Sequence, residues 1–154
     1  MISRVRGSFE EFQVRIETRD STFNASKVEC EIEVASIKTQ IKDRDDHLKS
    51  PDFFDVENHP KIVFKSTSVN QKSSNTYEMV GMLSIKGVEK PVVLNVLYNG
   101  SDQDQYGQTK YGFEITGAIK RSDWELDFNV LGGRDTLLIG NEVKIEANIQ
   151  MMRV

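Results

Sequence analysis

The 154-residue chain carries 38% hydrophobic and 29% charged residues with a formal net charge of −4, which suits one globular domain able to bury a core without metals or disulfides. The acidic balance excludes the basic face a nucleic-acid binder needs to displace counterions, and the single cysteine excludes an internal disulfide. No apolar run nears the ~18 residues that span a bilayer, so no integral membrane segment is expected; with no apolar leader, the chain as written reads as cytoplasmic, or as periplasmic if a leader was removed.

Residues 9–18, FEEFQVRIET, alternate from Phe12 through Val14 to Ile16. Residues 26–36, SKVECEIEVAS, set Val28, Cys30, Ile32 and Val34 on one face against Lys27, Glu29, Glu31 and Glu33 on the other. Alternation of this kind gives strands with one buried and one wet face, as in antiparallel sheets. The rhythm breaks at 43–56. There Asp43 is expected to cap a short helix through Lys49, and Ser50-Pro51-Asp52 to open a fresh helical turn, with serine as N-cap, proline at N1 and an acid facing the dipole. Leu48, Phe53, Phe54 and Val56 form the apolar side of this insert, placed to cover one end of a barrel. Further strands are expected over 61–69, 77–85, 91–98, 110–120, 123–128 and 142–151, with turn signals at 70–75, 85–91, 99–107 and 131–135. The last strand alternates Val143, Ile145, Ala147, Ile149 and Met151 with Glu142, Lys144, Glu146, Asn148 and Gln150. Many short strands joined by polar turns predict a single all-β domain over 1–154, a barrel or a sandwich.

Candidate chemistry is sparse. His47 and His59, with Asp43, Asp45, Asp46, Asp52 and Asp55 nearby, would be the metal or acid–base set, but two histidines across a proline-broken path match no zinc spacing. The carboxylates are explained as caps and first-turn acids. Cys30 lies on an apolar strand face, where a thiol acts as a small hydrophobe. Gly132 and Gly133 lack the lysine and helix onset of a phosphate loop. Arg121, Asp123 and Trp124 read as an ion pair beside a packed indole. No catalytic residue, metal or cofactor is expected, which leaves the interior. Eight strands close into a barrel that is either filled by side chains or holds one small ligand. Small inward positions (Cys30, Ser66, Ser68, Gly81, Gly117, Ala147) beside Phe12, Phe64, Phe113 and Trp124 could leave an apolar-walled cavity. A packed core gives the same alternation, so both interiors stay open at this point.

Three blocks, HLKSPDFFDVENHPKIVFKST, YEMVGMLSIKGVEKPVVLNV and GFEITGAIKRSDW, resemble the YceI-like, polyisoprenoid-binding family. The first matches at His47, Leu48, Ser50, Asp52, Phe53, Phe54, Asp55, Pro60, Phe64 and Ser66. The second matches at Gly81, Leu83, Ile85, Gly87, Val88, Pro91 and Val92, and the third at Arg121 to Trp124; VRGSF at 5–9 and the closing VKIEANIQM also fit. The resemblance implies an extended eight-stranded antiparallel lipocalin-like barrel whose apolar tube holds one long isoprenoid chain, an isoprenoid quinone or a polyprenyl lipid, with no catalysis. The expected lining is then Phe12 and Val14; Cys30, Ile32 and Val34; Leu48, Phe53 and Phe54 from the insert; Ile62 and Phe64; Met79 and Leu83; Val92, Leu94 and Val96; Phe113 and Ile115; Trp124; and Ile145 and Ile149.

Chains of this family usually carry a longer front with a first strand containing a His-Ser pair, whereas MISRVRG resembles the segment just after it. Without that strand the barrel would keep an open seam of unpaired backbone groups, which a second copy could close by strand exchange. The expected partners are therefore an isoprenoid or other long apolar lipid, and a homodimer. Two competing readings are an interaction protein with a filled barrel, using the outward Val93 and Leu97, and an enzyme acting on a lipid through His47.

Overall fold

The computed structural model describes residues 5–18, 22–127, 130–131, 137–138 and 140–153. Its strands are β1 (Ser8–Phe9), β2 (Phe12–Glu17), β3 (Lys27–Glu33), β4 (Ile37–Lys38), β5 (Lys61–Gln71), β6 (Thr76–Ile85), β7 (Val88–Gln103), β8 (Thr109–Lys120), β9 (Val130–Leu131), β10 (Leu137–Leu138) and β11 (Glu142–Met152). One helix, α1 (Lys42–Lys49), lies between β4 and β5. Seven strands form a single antiparallel sheet in the order β11-β8-β7-β6-β5-β3-β2, while β1–β4 and β9–β10 are two-stranded ribbons. The sheet curls into a lipocalin-like half-barrel, with seven strands in it among the described residues where eight are expected.

The alternation read from the sequence sets the register. Val14 sits opposite Cys30, Cys30 opposite Phe64, Phe64 opposite Leu83, Val92 opposite Gly81, and Ile145 opposite Gly117, so the apolar rows of neighbouring strands meet on one face. A β-bulge between Ser66 and Ser68 changes the parity of β5. Ser68 therefore pairs with Val80 on the outer row and Val69, 2% exposed, takes the inward place, which corrects the expectation for Ser68.

Two further corrections share a cause: residues with the composition of a turn are held extended by a neighbouring strand. β7 continues through Asn99–Gln103, paired to β8 past a bulge at Tyr98–Gly100 where Gly100 has φ 98°. The reversal itself is short, with Asp104 Oδ1 accepting from the backbone N–H of Tyr106 (2.8 Å) and of Gln108 (3.0 Å). The β6–β7 turn shrinks to Lys86 and Gly87, both at positive φ (52° and 76°), the geometry that matches strand twist in a tight hairpin. The N-terminal strand is split at Glu10–Glu11, with Phe9 pairing Ile37 in a separate ribbon. The expected strand at 123–128 is instead a 3₁₀ turn, Arg121–Trp124, ended by Glu125 at φ 60°. Phe128 and most of the expected turn at 131–135 lie outside the described residues.

The helical insert is present but capped differently. Ile41, not Asp43, is the N-cap of α1, with no side-chain cap bond. Asp45 reaches back instead, accepting from Thr39 N (2.9 Å) and Thr39 Oγ1 (2.5 Å). Ser50 ends α1 rather than opening a new helix, its Oγ donating to the His47 carbonyl at 2.6 Å and accepting from Asp52 N at 3.3 Å. Residues 51–54 form turns, because Phe53 N and Asp55 N both return to the Ser50 carbonyl.

Candidate functional site

The concave face has a closed centre and open flanks. Ile62, Phe64, Met79, Leu83, Val92, Leu94, Val96 and Phe113 are buried together with Val34 and Trp124 in one cluster. Two glycines expected to leave space do not. A Cβ on Gly81 would lie 2.5 Å from the Phe64 ring, and one on Gly117 would lie 2.5 Å from Leu94 Cδ2, so neighbouring side chains occupy both gaps. Aromatic rings close one end, with Phe23 against Tyr77 and Phe113 (centroids 4.9 Å each) and Tyr98 against Phe113 (5.3 Å). Toward the other end of β6, Trp124 is 2% exposed and its indole N–H donates to the Leu83 carbonyl at 2.9 Å.

Along the flanks the inner row stays apolar but is only half covered. Val14, Ile16, Cys30 and Ile32 form one bank and Ile115, Ile119 and Met151 the other, all packed against the central cluster. Beyond them on β11, Val143, Ile145, Ala147 and Ile149 are partly exposed. Phe12, at the rim of β2, is 47% exposed. The medium around Cys30 is dry enough to matter: burial, helped by Glu31, pushes its thiol up to about 11.

The insert contributes a separate patch. Leu48 and Phe53 pack with Ile37 in a second cluster, and Phe54 joins it to the main one through an edge-on contact with Phe9 at 6.0 Å. Thus Leu48 and Phe53 are not brought onto the same surface as the strand residues, although Phe54 bridges the two. Residues absent from the sequence-derived lining include Phe23, which lies in a loop and has no periodic signal, and Tyr77, Val69, Val143 and Met151, which share the inward row. Parity counted through the bulge finds Val69, and plain alternation along β6 and β11 finds the other three.

The histidine-rich corner is structural in its geometry. His47 Nε2 lies 2.9 Å from Asp52 Oδ2, and its ring sits edge-on to Phe53 at 5.3 Å. Asn58 Nδ2 donates to Asp55 Oδ2 at 3.0 Å, and Lys86 Nζ donates to the Pro51 carbonyl at 3.1 Å, tying the corner to the β6–β7 hairpin. Arg121, 7% exposed, gives its guanidinium to the carbonyls of Gly140 (2.8 Å) and Leu126. Burial lowers its pKa while Asp127 counteracts the shift. Among the described residues, no three His, Cys, Asp or Glu side chains gather as metal ligands do, and no helix is long and apolar enough to cross a membrane.

Comparisons with known proteins agree with this frame. The YceI-like domain model matches residues 1–151. A UPF0312 protein of Staphylococcus aureus is 34% identical over 151 residues, covering 97% of this chain and 85% of its own. The crystal structure of the Campylobacter jejuni YceI protein superposes with a TM-score of 0.85 at 25% identity, covering 100% of this chain and 88% of its own. Burkholderia cenocepacia BcnA shares the fold, with a TM-score of 0.76 at 24% identity over 94% of this chain and 86% of its own. With its register, its capped barrel end and these matches along nearly its whole length, the chain belongs to the YceI-like family.

Proposed function

We propose that this protein binds and carries one long apolar lipid, an isoprenoid quinone or polyprenyl chain, against the flanks of its concave face, and performs no chemistry on it. One observation carries the reading. The inner rows of β2, β3, β8 and β11 carry apolar side chains that stay partly exposed away from the buried Val28 and Phe113: Val14, Cys30 and Ile32 on one flank, Ile115, Ile145 and Ile149 on the other. Contiguous apolar surface left open in this way marks a binding site rather than a finished core. Membership of a family associated with polyisoprenoid binding supports the same ligand class.

The energetics are adequate without a charged anchor. A chain of about forty carbons at roughly 0.3 kcal/mol per heavy atom gains about 12 kcal/mol, close to nanomolar affinity. Selectivity then rests on chain width and length more than on the head group.

A second reading is favoured by the packed centre. The gaps at Gly81 and Gly117 are filled, and two open clefts, of ≈ 390 and ≈ 310 Å³, lie around Glu10, Glu31 and Lys61 and around Gln108, Tyr111 and Arg153. A filled half-barrel would make this an interaction protein, with the outward Val93, 53% exposed, as part of its contact surface. Native mass spectrometry of freshly purified protein, with organic extraction and titration by a long-chain ubiquinone, decides between them. A discrete added mass with isoprene spacing, or saturable uptake of the quinone, supports carriage; an empty protein that takes up no quinone overturns it.

A further inference from the structure

Among the described residues the fold buries four polar or charged side chains, Ser26, Thr39, Arg44 and Arg121. Three of them are engaged: Arg44 Nε donates to Thr39 Oγ1 (2.8 Å), Thr39 Oγ1 donates to Asp45 Oδ1 (2.5 Å), and Arg121 Nε donates to the Gly140 carbonyl (2.8 Å). Ser26 is the exception. It is 4% exposed, and its hydroxyl finds no hydrogen-bond partner among the described residues. A buried hydroxyl left unpaired costs free energy that an alanine at the same place would not, so its presence calls for a reason.

Its position supplies one. Ser26 stands one alternation before Val28, with the exposed Lys27 between them, so it continues the inner row of Val28, Cys30 and Ile32. Backbone bonds fix it there. Ser26 N donates to the Phe23 carbonyl (3.1 Å), Ala25 N, at φ 60°, to the Val69 carbonyl (3.0 Å), and Gln71 N to Asn24 Oδ1 (3.0 Å). The paired register of β3 and β5 stops at Glu29 and Lys65, after which Val28 N donates to Ser66 Oγ (2.8 Å) instead of to a strand carbonyl. Phe23, three residues back, sets its ring against those of Tyr77 and Phe113, at 4.9 Å each. The half-open bank of Cys30 and Ile32 therefore runs into an end walled by aromatic rings, with an uncommitted hydroxyl on its row. Phe23 rides on the turn before β3, whereas Tyr77, Tyr98 and Phe113 belong to strands, so its ring can shift without breaking a ladder.

We propose that this end receives the head ring of an isoprenoid quinone, with Ser26 Oγ donating a hydrogen bond to one of its carbonyl oxygens. The inference rests on the carrier reading and names the head group that reading leaves open. The side chains buried in this end, Phe23, Val28, Val69, Tyr77 and Phe113, are uncharged, so a diphosphate head would lose its hydration with no cation to replace it. A pure hydrocarbon would leave the hydroxyl unpaired. A prenyl alcohol carries its oxygen on a flexible chain and offers the rings no flat partner. A quinone carbonyl is a neutral acceptor on a flat ring, so it satisfies the hydroxyl and packs on the aromatic walls. One such bond adds a modest head-group preference to an affinity set mainly by the chain.

The test titrates delipidated wild type and Ser26→Ala by native mass spectrometry, with a long-chain ubiquinone and with squalene, an isoprene hydrocarbon that has no oxygen. Ser26→Ala is expected to bind the ubiquinone about tenfold more weakly, the worth of one buried hydrogen bond, and squalene within about twofold of wild type. Without lipid the variant should melt about 2–4 °C higher, because it no longer buries an unpaired hydroxyl. Infrared difference spectra give a readout that altered packing alone does not move: one carbonyl stretch of bound ubiquinone should be shifted down in wild type and return in Ser26→Ala. A variant that weakens both lipids equally, or neither, overturns the proposal, as do unshifted carbonyls in wild type. A lower melting point for the lipid-free variant also overturns it, since a buried water would then already hold the hydroxyl. Uptake of squalene but not ubiquinone by wild type removes the head-group assignment and leaves carriage standing; uptake of neither removes both.

Discussion

Cys30 faces Val14 on one neighbouring strand and Phe64 on the other, and its thiol titrates at about 11 because burial, then Glu31, opposes the thiolate. At neutral pH it is therefore a poor nucleophile. Alkylation by iodoacetamide should be slow at pH 7 and accelerate as pH approaches 11. The folded value lies above the ordinary thiol value of 9.0, so the contribution is full below pH 9 and is lost as pH rises from 9 toward about 11. Denaturant melts of Cys30→Ala should lack that alkaline decline. A variant whose melts decline as steeply as wild type would assign the decline to other groups. Phe64 acts by volume. Its ring fills the gap above Gly81, so Phe64→Ala should cost about 3–5 kcal/mol while opening room in the centre of the face. Under the carrier reading the lipids extracted from that variant should shift in length or width; identical lipid profiles would remove Phe64 from the wall.

At the level of elements, the corner between α1 and β5 and the β6–β7 hairpin brace each other. Gly87 holds φ 76° with a hydrogen where a Cβ would come 3.0 Å from His59 Cε1. Gly87→Ala is thus strained in backbone and in contact, and is expected to lower stability by roughly 1–2 kcal/mol. Urea midpoints would show it, and an unchanged midpoint would mean the hairpin re-forms elsewhere. The same region shows what the sequence could and could not disclose. Strands β3 and β11 were legible because charge and apolar residues alternate without a break, and β5 was legible up to Ser66. The bulge after Ser66 is a backbone irregularity that leaves the composition unchanged, so parity counting placed Ser68 inward in error. Asn99–Gln103 looks like loop because a strand's polar extension has the composition of a turn, and only its partner in β8 keeps it extended. Trp124 was rightly expected to be a packed indole, but the short turn that delivers it to the Leu83 carbonyl has no periodic signature. For the same reason Phe23 escaped notice.

For the whole molecule, the question is whether the half-covered banks hold a ligand or are the rim of a finished core. Physical differences between the two cases fall on β11, where Ile145 and Ile149 are partly exposed and lie outside the central cluster. Replacing either by aspartate costs part of the packing that covers it, but a filled half-barrel should keep its function. A trough lined by these side chains should not: each loses roughly 2 kcal/mol of apolar contact with the lipid, about thirtyfold in affinity, and adds an uncompensated charge beside the chain. Val93→Asp is the matched control, because Val93 is 53% exposed and adjoins the inward-row residues Val92 and Leu94 in the alternating strand β7. The expected outcome is that Ile145→Asp and Ile149→Asp stay folded by circular dichroism yet lose quinone uptake in a fluorescence-quenching titration, while Val93→Asp keeps it. Equal uptake by all three would place the ligand elsewhere or nowhere. Loss of a protein partner on Val93→Asp alone would make the outward face, not the concave one, the working surface of the fold.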